Sequence, residues 1–263
     1  MTNLTTGTRS SFAIGGRQLS YLDFAGAGRP LLALHGHMSE AASFAELAAA
    51  LAPGWRLIAL DQRGHGYSDR AAEYSRDGYL ADLLALLDHL ELKEVVVLGH
   101  SLGAINGYQL AARHPERVGA LIDVDSPVAL GLDGSNPLQF LATLPYEGAT
   151  RADLIERMGP FAAHFGALVR ERADGTWALP FHPLDILESE HNVHGDHWAD
   201  WLATDCPALL IRGTRGAIPA DQAEQMVTRR PNTRLAELDT DHFVYASDPA
   251  GFADAVNGFL AEL

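Results

Sequence analysis

Cysteine is nearly absent from this chain: Cys206 stands alone among 263 residues, which excludes an internal disulfide and fits a reducing cytoplasm. Basic residues are few, 19 against 34 acidic ones, for a formal net charge of −15. That balance argues against nucleic acid and against an anionic membrane surface as partners, and serves solubility. No apolar run is long enough to span a bilayer, and the opening stretch MTNLTTGTRSSF lacks the apolar core of a signal peptide. A cytoplasmic protein is the expectation. Repeats, low-complexity segments and Gly/Ser/Pro linkers are missing as well. With 47% hydrophobic residues, the chain is expected to fold as one domain with at most an insertion.

What the sequence does contain is an alternation of strand and helix patterns. QLSYLDF, LLALHG and WRLIALD read as strands, with a helix from Glu40 to Leu51 between the last two. GYLADLLALLDHL has helical spacing, EVVVLGH is a buried strand, LGAINGYQLAARHP a helix stopped by proline, and VGALIDVD the next strand. PALLIRG and TRLAELD close the series as strands, followed by helices from about Pro219 to Arg230 and Pro249 to Leu260. Such alternation implies a mostly parallel sheet with helices on both faces, and functional residues at the carboxyl ends of its strands. The stretch from Pro127 to about Thr204 breaks the pattern with two short helical segments parted at Gly159-Pro160 and an aromatic, histidine-rich run. We read residues 128–203 as a cap, and 1–127 with 204–263 as the core.

The stretch VVVLGHSLGA sets Ser101 between Gly99 and Gly103 directly after a buried strand. A nucleophile on a sharp strand-to-helix turn needs small neighbours, and Gly-x-Ser-x-Gly in that context is the nucleophile-elbow pattern. The amide of Leu102 would then point to where an oxyanion forms. A serine hydroxyl needs a base, and His242, just after a predicted strand and before the terminal helix, stands where one is required. In LLALHGHMSE, Gly36 after His35 lets the chain turn so that the His37 amide supplies a second oxyanion donor. His191, His194 and His197 with Asp196 have a spacing that could bind metal on a helix, but Gly195 and the lack of His-Glu-x-x-His favour a solvated cap face, and no metal is expected.

In order along the chain, LHGH, LDQRGHGYSD, GHSLGA, HPERV, LLIRG and DHFVYASDP resemble the motifs of the α/β-hydrolase fold superfamily. The resemblance covers nearly the whole length and implies an eight-stranded, mostly parallel sheet, a helical cap after the sixth strand, and a serine that attacks an acyl carbon. A serine rather than an aspartate at the elbow argues against the branches with a carboxylate nucleophile. One departure stands out. Family members commonly carry the acid of the triad in a Gly-x-x-Asp pattern after the seventh strand, where this chain has Gly213-Thr214-Arg215-Gly216. Asp125, at the end of the sixth strand, is the substitute the resemblance suggests, with Asp123 and Asp221 as the other possibilities.

The expected function is that of a serine hydrolase cleaving an ester or lactone of a small, mostly apolar molecule, with Ser101, His242 and Asp125 as triad and no cofactor. His35, Phe140, Phe161, Phe165, Trp177, Phe181 and Trp198 are the candidate pocket residues. Two alternatives stay open: a cofactor-free oxygenase or perhydrolase on the same fold, and a ligand receptor of slow turnover.

Overall fold

The computed structural model describes residues 7–263, so half of the opening stretch on which the signal-peptide expectation rests lies outside the described residues. Eight strands form one sheet: β1 (Thr8–Ile14), β2 (Arg17–Asp23), β3 (Arg29–Leu34), β4 (Trp55–Leu60), β5 (Val95–His100), β6 (Val118–Val124), β7 (Ala208–Gly213) and β8 (Thr233–Leu238). Their spatial order is β1-β2-β4-β3-β5-β6-β7-β8. β1 and β2 pair antiparallel, β2 meets β4 antiparallel, and every later pair is parallel. β1, which the alternation does not predict, is half exposed and joins β2 through a Gly15-Gly16 turn with both φ values positive.

The helices of six residues or more are α1 (Ala45–Ala50), α2 (Arg76–His89), α3 (Leu102–Arg113), α4 (Arg151–Met158), α5 (Pro183–Val193), α6 (Ala220–Arg229) and α7 (Pro249–Leu260). The single helix expected over 40–51 is instead a 3₁₀ turn, Ala41–Phe44, leading into α1. Ser75 and Asp248 cap α2 and α7 by accepting from the amides of Gly78 and Gly251. All six residues of β5, and all six of β7, are buried, because helices cover both faces of the parallel part of the sheet. On one face Leu32, Val97 and Leu210 pack with Leu83, Ile105 and Met226 of α2, α3 and α6. On the other, Leu31, Leu98 and Ile211 pack with Leu47, Phe252 and Val256 of α1 and α7. Among the described residues no helix is long and apolar enough to cross a membrane.

Between β6 and β7 the chain leaves the sheet and builds a core of its own from Leu141, Leu154, Met158, Phe165, Phe181 and Ile186. α4 starts at Thr150, whose hydroxyl accepts from the Asp153 amide, and stops at Gly159, where φ is +54°. α5 is tied back to the rest of the molecule at Asp185, which takes two hydrogen bonds from Arg70 (2.6 and 2.8 Å) and one from the Tyr74 hydroxyl (2.6 Å).

The sheet can hold α3 close only because two side chains are missing. A Cβ at Gly103 would sit 2.1 Å from the Leu34 carbonyl oxygen, and one at Gly99 would sit 2.3 Å from the Gly103 backbone. Gly258 in α7, by contrast, has nothing within 4 Å of its would-be Cβ. Gly103→Ala is therefore expected to destabilise the protein by about 1–3 kcal/mol or more, whereas Gly258→Ala should stabilise it by about 0.5–1 kcal/mol. Urea midpoints for the two variants should move in opposite directions.

Candidate active site

The turn from β5 into α3 places Ser101 at φ 52° and ψ −118°, a conformation costly for a residue with a side chain. Backbone bonds hold it there: the Ser101 amide donates to the Val124 carbonyl (3.1 Å), and the Ser101 carbonyl accepts from Ala104 and Ile105 (2.9 and 3.2 Å). Leu102 is the first residue of α3, a position with no intrahelical acceptor for its N–H. That amide is free to serve an oxyanion.

His242 follows β8 and turns its Nδ1 to Asp125 Oδ2 at 2.8 Å. With Nδ1–H donated to the carboxylate, Nε2 keeps its lone pair, as a general base requires. Asp125 is fully buried at the end of β6 and, like Ser101, has positive φ (52°), a conformation Asp tolerates better than most residues. Its carboxylate also accepts from the amides of Gly213 (3.1 Å) and Ala217 (2.6 Å). The volume it fills is the one vacated at Gly216, where a Cβ would lie 2.2 Å from Asp125 Oδ2. The usual acid position thus has its side chain removed and a carboxylate from the neighbouring strand put in the same place. Asp123 does not reach His242. It is buried, accepts from the Ser126 amide (3.0 Å), and burial pushes its carboxyl pKa well above the usual range, with the Asp125 charge adding to the effect. Asp221 lies exposed in the first turn of α6.

His100, which the sequence presents only as the variable position of the elbow, takes part in holding His242. Its Nε2–H donates to the His242 carbonyl (2.9 Å), and the two rings lie 4.6 Å apart. Burial, and next the nearby His242, drive the His100 pKa well below the ordinary histidine value, so the ring is neutral. On the other side the loop after β3 approaches closely: a Cβ at Gly36 would lie 2.7 Å from His100 Nδ1 and 3.1 Å from Ser101 Cβ.

Ser101, Leu102, His242 and His37 all line one cavity of about 480 Å³, with Met38, Ile105, Leu130, Phe140, Val193 and Phe243 among its apolar walls. A second cavity of about 560 Å³ shares His37, Met38, Phe140 and Phe243 with it and adds Phe161, Phe165 and Leu168. Of the candidate pocket residues, Phe140, Phe161 and Phe165 thus face one or both cavities. Four others do not. His35 is fully buried, donating from Nδ1 to the Gly36 carbonyl (2.7 Å) and accepting at Nε2 from the Gln62 amide (3.0 Å). Burial lowers its pKa to about 4, so it is a neutral strut of the loop. Phe181 is buried in the core of the inserted segment, edge-on to Phe165. Trp177 sits on a two-residue strand in that segment's small sheet. Trp198 lies beneath the Arg229 guanidinium, 3.9 Å from it, and packs on the α6 side of the main core. Aromatic content alone does not separate residues that close a segment's own core from those that face a ligand.

The histidines of the inserted segment also divide. His191 is exposed, and His197 Nε2 donates to the Val193 carbonyl (2.7 Å). His194, expected on a solvated face, instead lines the cavity and meets Glu190 Oε1 at 3.2 Å. Glu190 is a cavity residue that the sequence reading does not single out; its only local signal is the Glu-x-x-x-His spacing with His194, an ordinary helical pair.

A model described as the alpha/beta hydrolase fold matches residues 29–249. The chain belongs to the α/β-hydrolase fold family, and it is an enzyme of that family. The 2-hydroxymuconate semialdehyde hydrolase of Pseudomonas sp. (strain CF600) is 37% identical over 262 residues, 90% of this chain and 88% of that protein. The non-heme haloperoxidase of Rhodococcus erythropolis is 36% identical over 246 residues, 85% and 88% of the two chains. In structure, the enol-lactonase from Burkholderia xenovorans LB400 superposes with a TM-score of 0.75 at 22% identity, over 96% of this chain and 100% of the other, a likeness of fold.

The exchange of Gly216 and Asp125 predicts a rescue. Asp125→Gly, which suits the positive φ, should remove the partner of His242, and adding Gly216→Asp should return a carboxylate to the same volume. Ester turnover of the double variant is expected to exceed that of Asp125→Gly by roughly tenfold or more. Gly216→Asp in the otherwise intact protein should be inactive, because two carboxylates cannot share that space.

Proposed function

We propose that the protein is a serine hydrolase that cleaves a carboxylic ester or lactone of a small, mostly apolar molecule. The observation that carries this reading is the hydrogen bond from His242 Nδ1 to the buried Asp125 carboxylate, in the same cavity as an elbow serine. Ser101 Oγ attacks the acyl carbon as His242 Nε2 takes its proton, and the amides of His37 and Leu102 hold the oxyanion. The protonated His242 then gives that proton to the leaving alkoxide, which departs as the alcohol and leaves an acyl-serine. Water, deprotonated by His242, attacks the acyl carbon next and releases the acid and the serine.

The lining supports a neutral substrate: it holds neither lysine nor arginine, and a free carboxylate would meet Glu190 there. We further propose that residues 128–203 act as a cap that selects the substrate, since Phe140, Phe161 and Phe165 come from them. A second reading, perhydrolysis, in which hydrogen peroxide replaces water on the acyl-serine, is favoured by the relative named a non-heme haloperoxidase. Assaying ester turnover with added peroxide, and measuring peracid against acid, separates the two.

Ser101→Ala should lower kcat on p-nitrophenyl esters by roughly a thousandfold or more while the fold persists, and a fluorophosphonate should label the peptide that holds Ser101. Asp125→Asn should cost about ten thousandfold, and Asp221→Asn close to nothing. An active alanine variant, or labelling elsewhere, refutes the assignment. For the cap, Phe140→Ala and Phe165→Ala should shift relative rates among acetyl, butyryl and octanoyl esters. An unchanged profile with a lowered melting point would make these rings purely structural.

A further inference from the structure

The His37 amide, assigned above to the oxyanion, belongs to a short loop that its own bonds hold in part. Gly36 precedes it and Met38, with φ at +62°, follows. Within the loop the Gly36 carbonyl accepts from His35 Nδ1 (2.7 Å) and from the Ser39 amide (3.4 Å). The His37 side chain, in contrast, is buried and held at both ring nitrogens by consecutive residues of α5. Nε2 lies 2.8 Å from Ser189 Oγ, and Nδ1 lies 3.2 Å from Glu190 Oε2.

These contacts form an ordered chain. Glu190 Oε2 faces Nδ1, Ser189 Oγ bonds Nε2, and the same Ser189 hydroxyl bonds the Tyr79 hydroxyl at 2.9 Å. The other carboxylate oxygen of Glu190 is occupied by His194 Nε2 at 3.2 Å. Burial works to raise the Glu190 pKa, but the hydrogen bonds and charges of His37 and His194 outweigh it and leave it below the usual glutamate value. The carboxylate is therefore ionised and a strong acceptor. At its other end α5 is anchored to the core through Asp185, Arg70 and Tyr74.

We infer that Ser189 and Glu190 are positioning residues for the oxyanion hole, so that helix α5 of the cap, gripping the His37 ring, holds the His37 amide where charge develops. The inference rests on the serine-hydrolase reading. It makes the cap a contributor to transition-state stabilisation as well as a wall of the pocket. An amide displaced by about 1 Å costs on the order of a hundredfold in rate, with little effect on how the neutral ester binds.

The test uses Ser189→Ala, Glu190→Gln and Glu190→Ala on the full chain, with p-nitrophenyl esters of several acyl lengths. Two inhibitors accompany them: a trifluoromethyl ketone, which forms an oxyanion on Ser101, and the corresponding alcohol, which does not. The expected result is a kcat loss of roughly tenfold to a hundredfold in Glu190→Ala, smaller in Glu190→Gln and Ser189→Ala, with KM within about threefold and the same factor for every acyl group. Affinity for the trifluoromethyl ketone should fall by that factor while affinity for the alcohol stays put. Unchanged kcat in all three variants overturns the inference. So does a loss that falls in KM and varies with acyl length, which would make Glu190 a substrate contact. If Glu190→Ala fails to fold, Ser189→Ala and Glu190→Gln decide by the same criteria. Fluorophosphonate labelling of the parent separates the two levels: an unlabelled Ser101 refutes the hydrolase reading beneath, whereas a labelled parent with unaffected variants refutes this inference alone.

Discussion

Four missing side chains set the geometry of the site. At Gly99 and Gly103 a Cβ would overlap backbone of the neighbouring turn and strand, at Gly36 the His100 ring, and at Gly216 the Asp125 carboxylate. Because interiors are packed to crystal-like density, each absence is a distance made available. Two let α3 rise straight off β5, one lets the loop after β3 press against the serine, and one admits an acid from β6. Ser101, His242 and Asp125 follow three different strands, His242 meets Asp125, and Ser101 and His242 line one cavity.

A buried polar network fixes the same loops from below. His35 accepts from the Gln62 amide, Gln62 donates its side-chain amide to the His35 carbonyl (2.5 Å), and Asn106 of α3 donates to Gln62 (2.6 Å). Asp61 accepts from the amides of Ala41 (2.7 Å) and Tyr67 (3.1 Å). The loops after β3 and β4 and the start of α3 are thereby joined through desolvated groups, where a lost partner costs more than a formed bond contributes. His35 belongs to this scaffold, and its neutral, buried ring shows how a histidine beside the cavity can be wholly structural.

Much of this was legible in the chain. The seven strands from QLSYLDF onward are bounded runs of apolar residues, and the elbow announces itself because Gly-x-Ser-x-Gly follows one of them. β1 was not legible, since its alternation is half exposed and carries little apolar signal. The meeting of Asp125 with His242 could be argued from the empty Gly216 position, but its geometry depends on the 2.2 Å conflict that only coordinates reveal. Glu190 and the turned-in His194 were hidden for another reason. A helix pattern reports which residues share a face, not what that face meets, and α5 meets the cavity. The same gap sends Trp177, Phe181 and Trp198 to packing roles although their composition suits a pocket equally well.

The ionised Glu190 on the cavity wall has a further consequence once a bond has been cut. In the ester cleavage we propose, a neutral substrate would become an anion in a chamber already holding one carboxylate, inside a molecule of net charge −15. Like charges brought into a site of low dielectric repel more strongly than in water. On that proposal the chamber would accept a neutral substrate and repel its anionic product, so that the direction of traffic through it would be written into its charge.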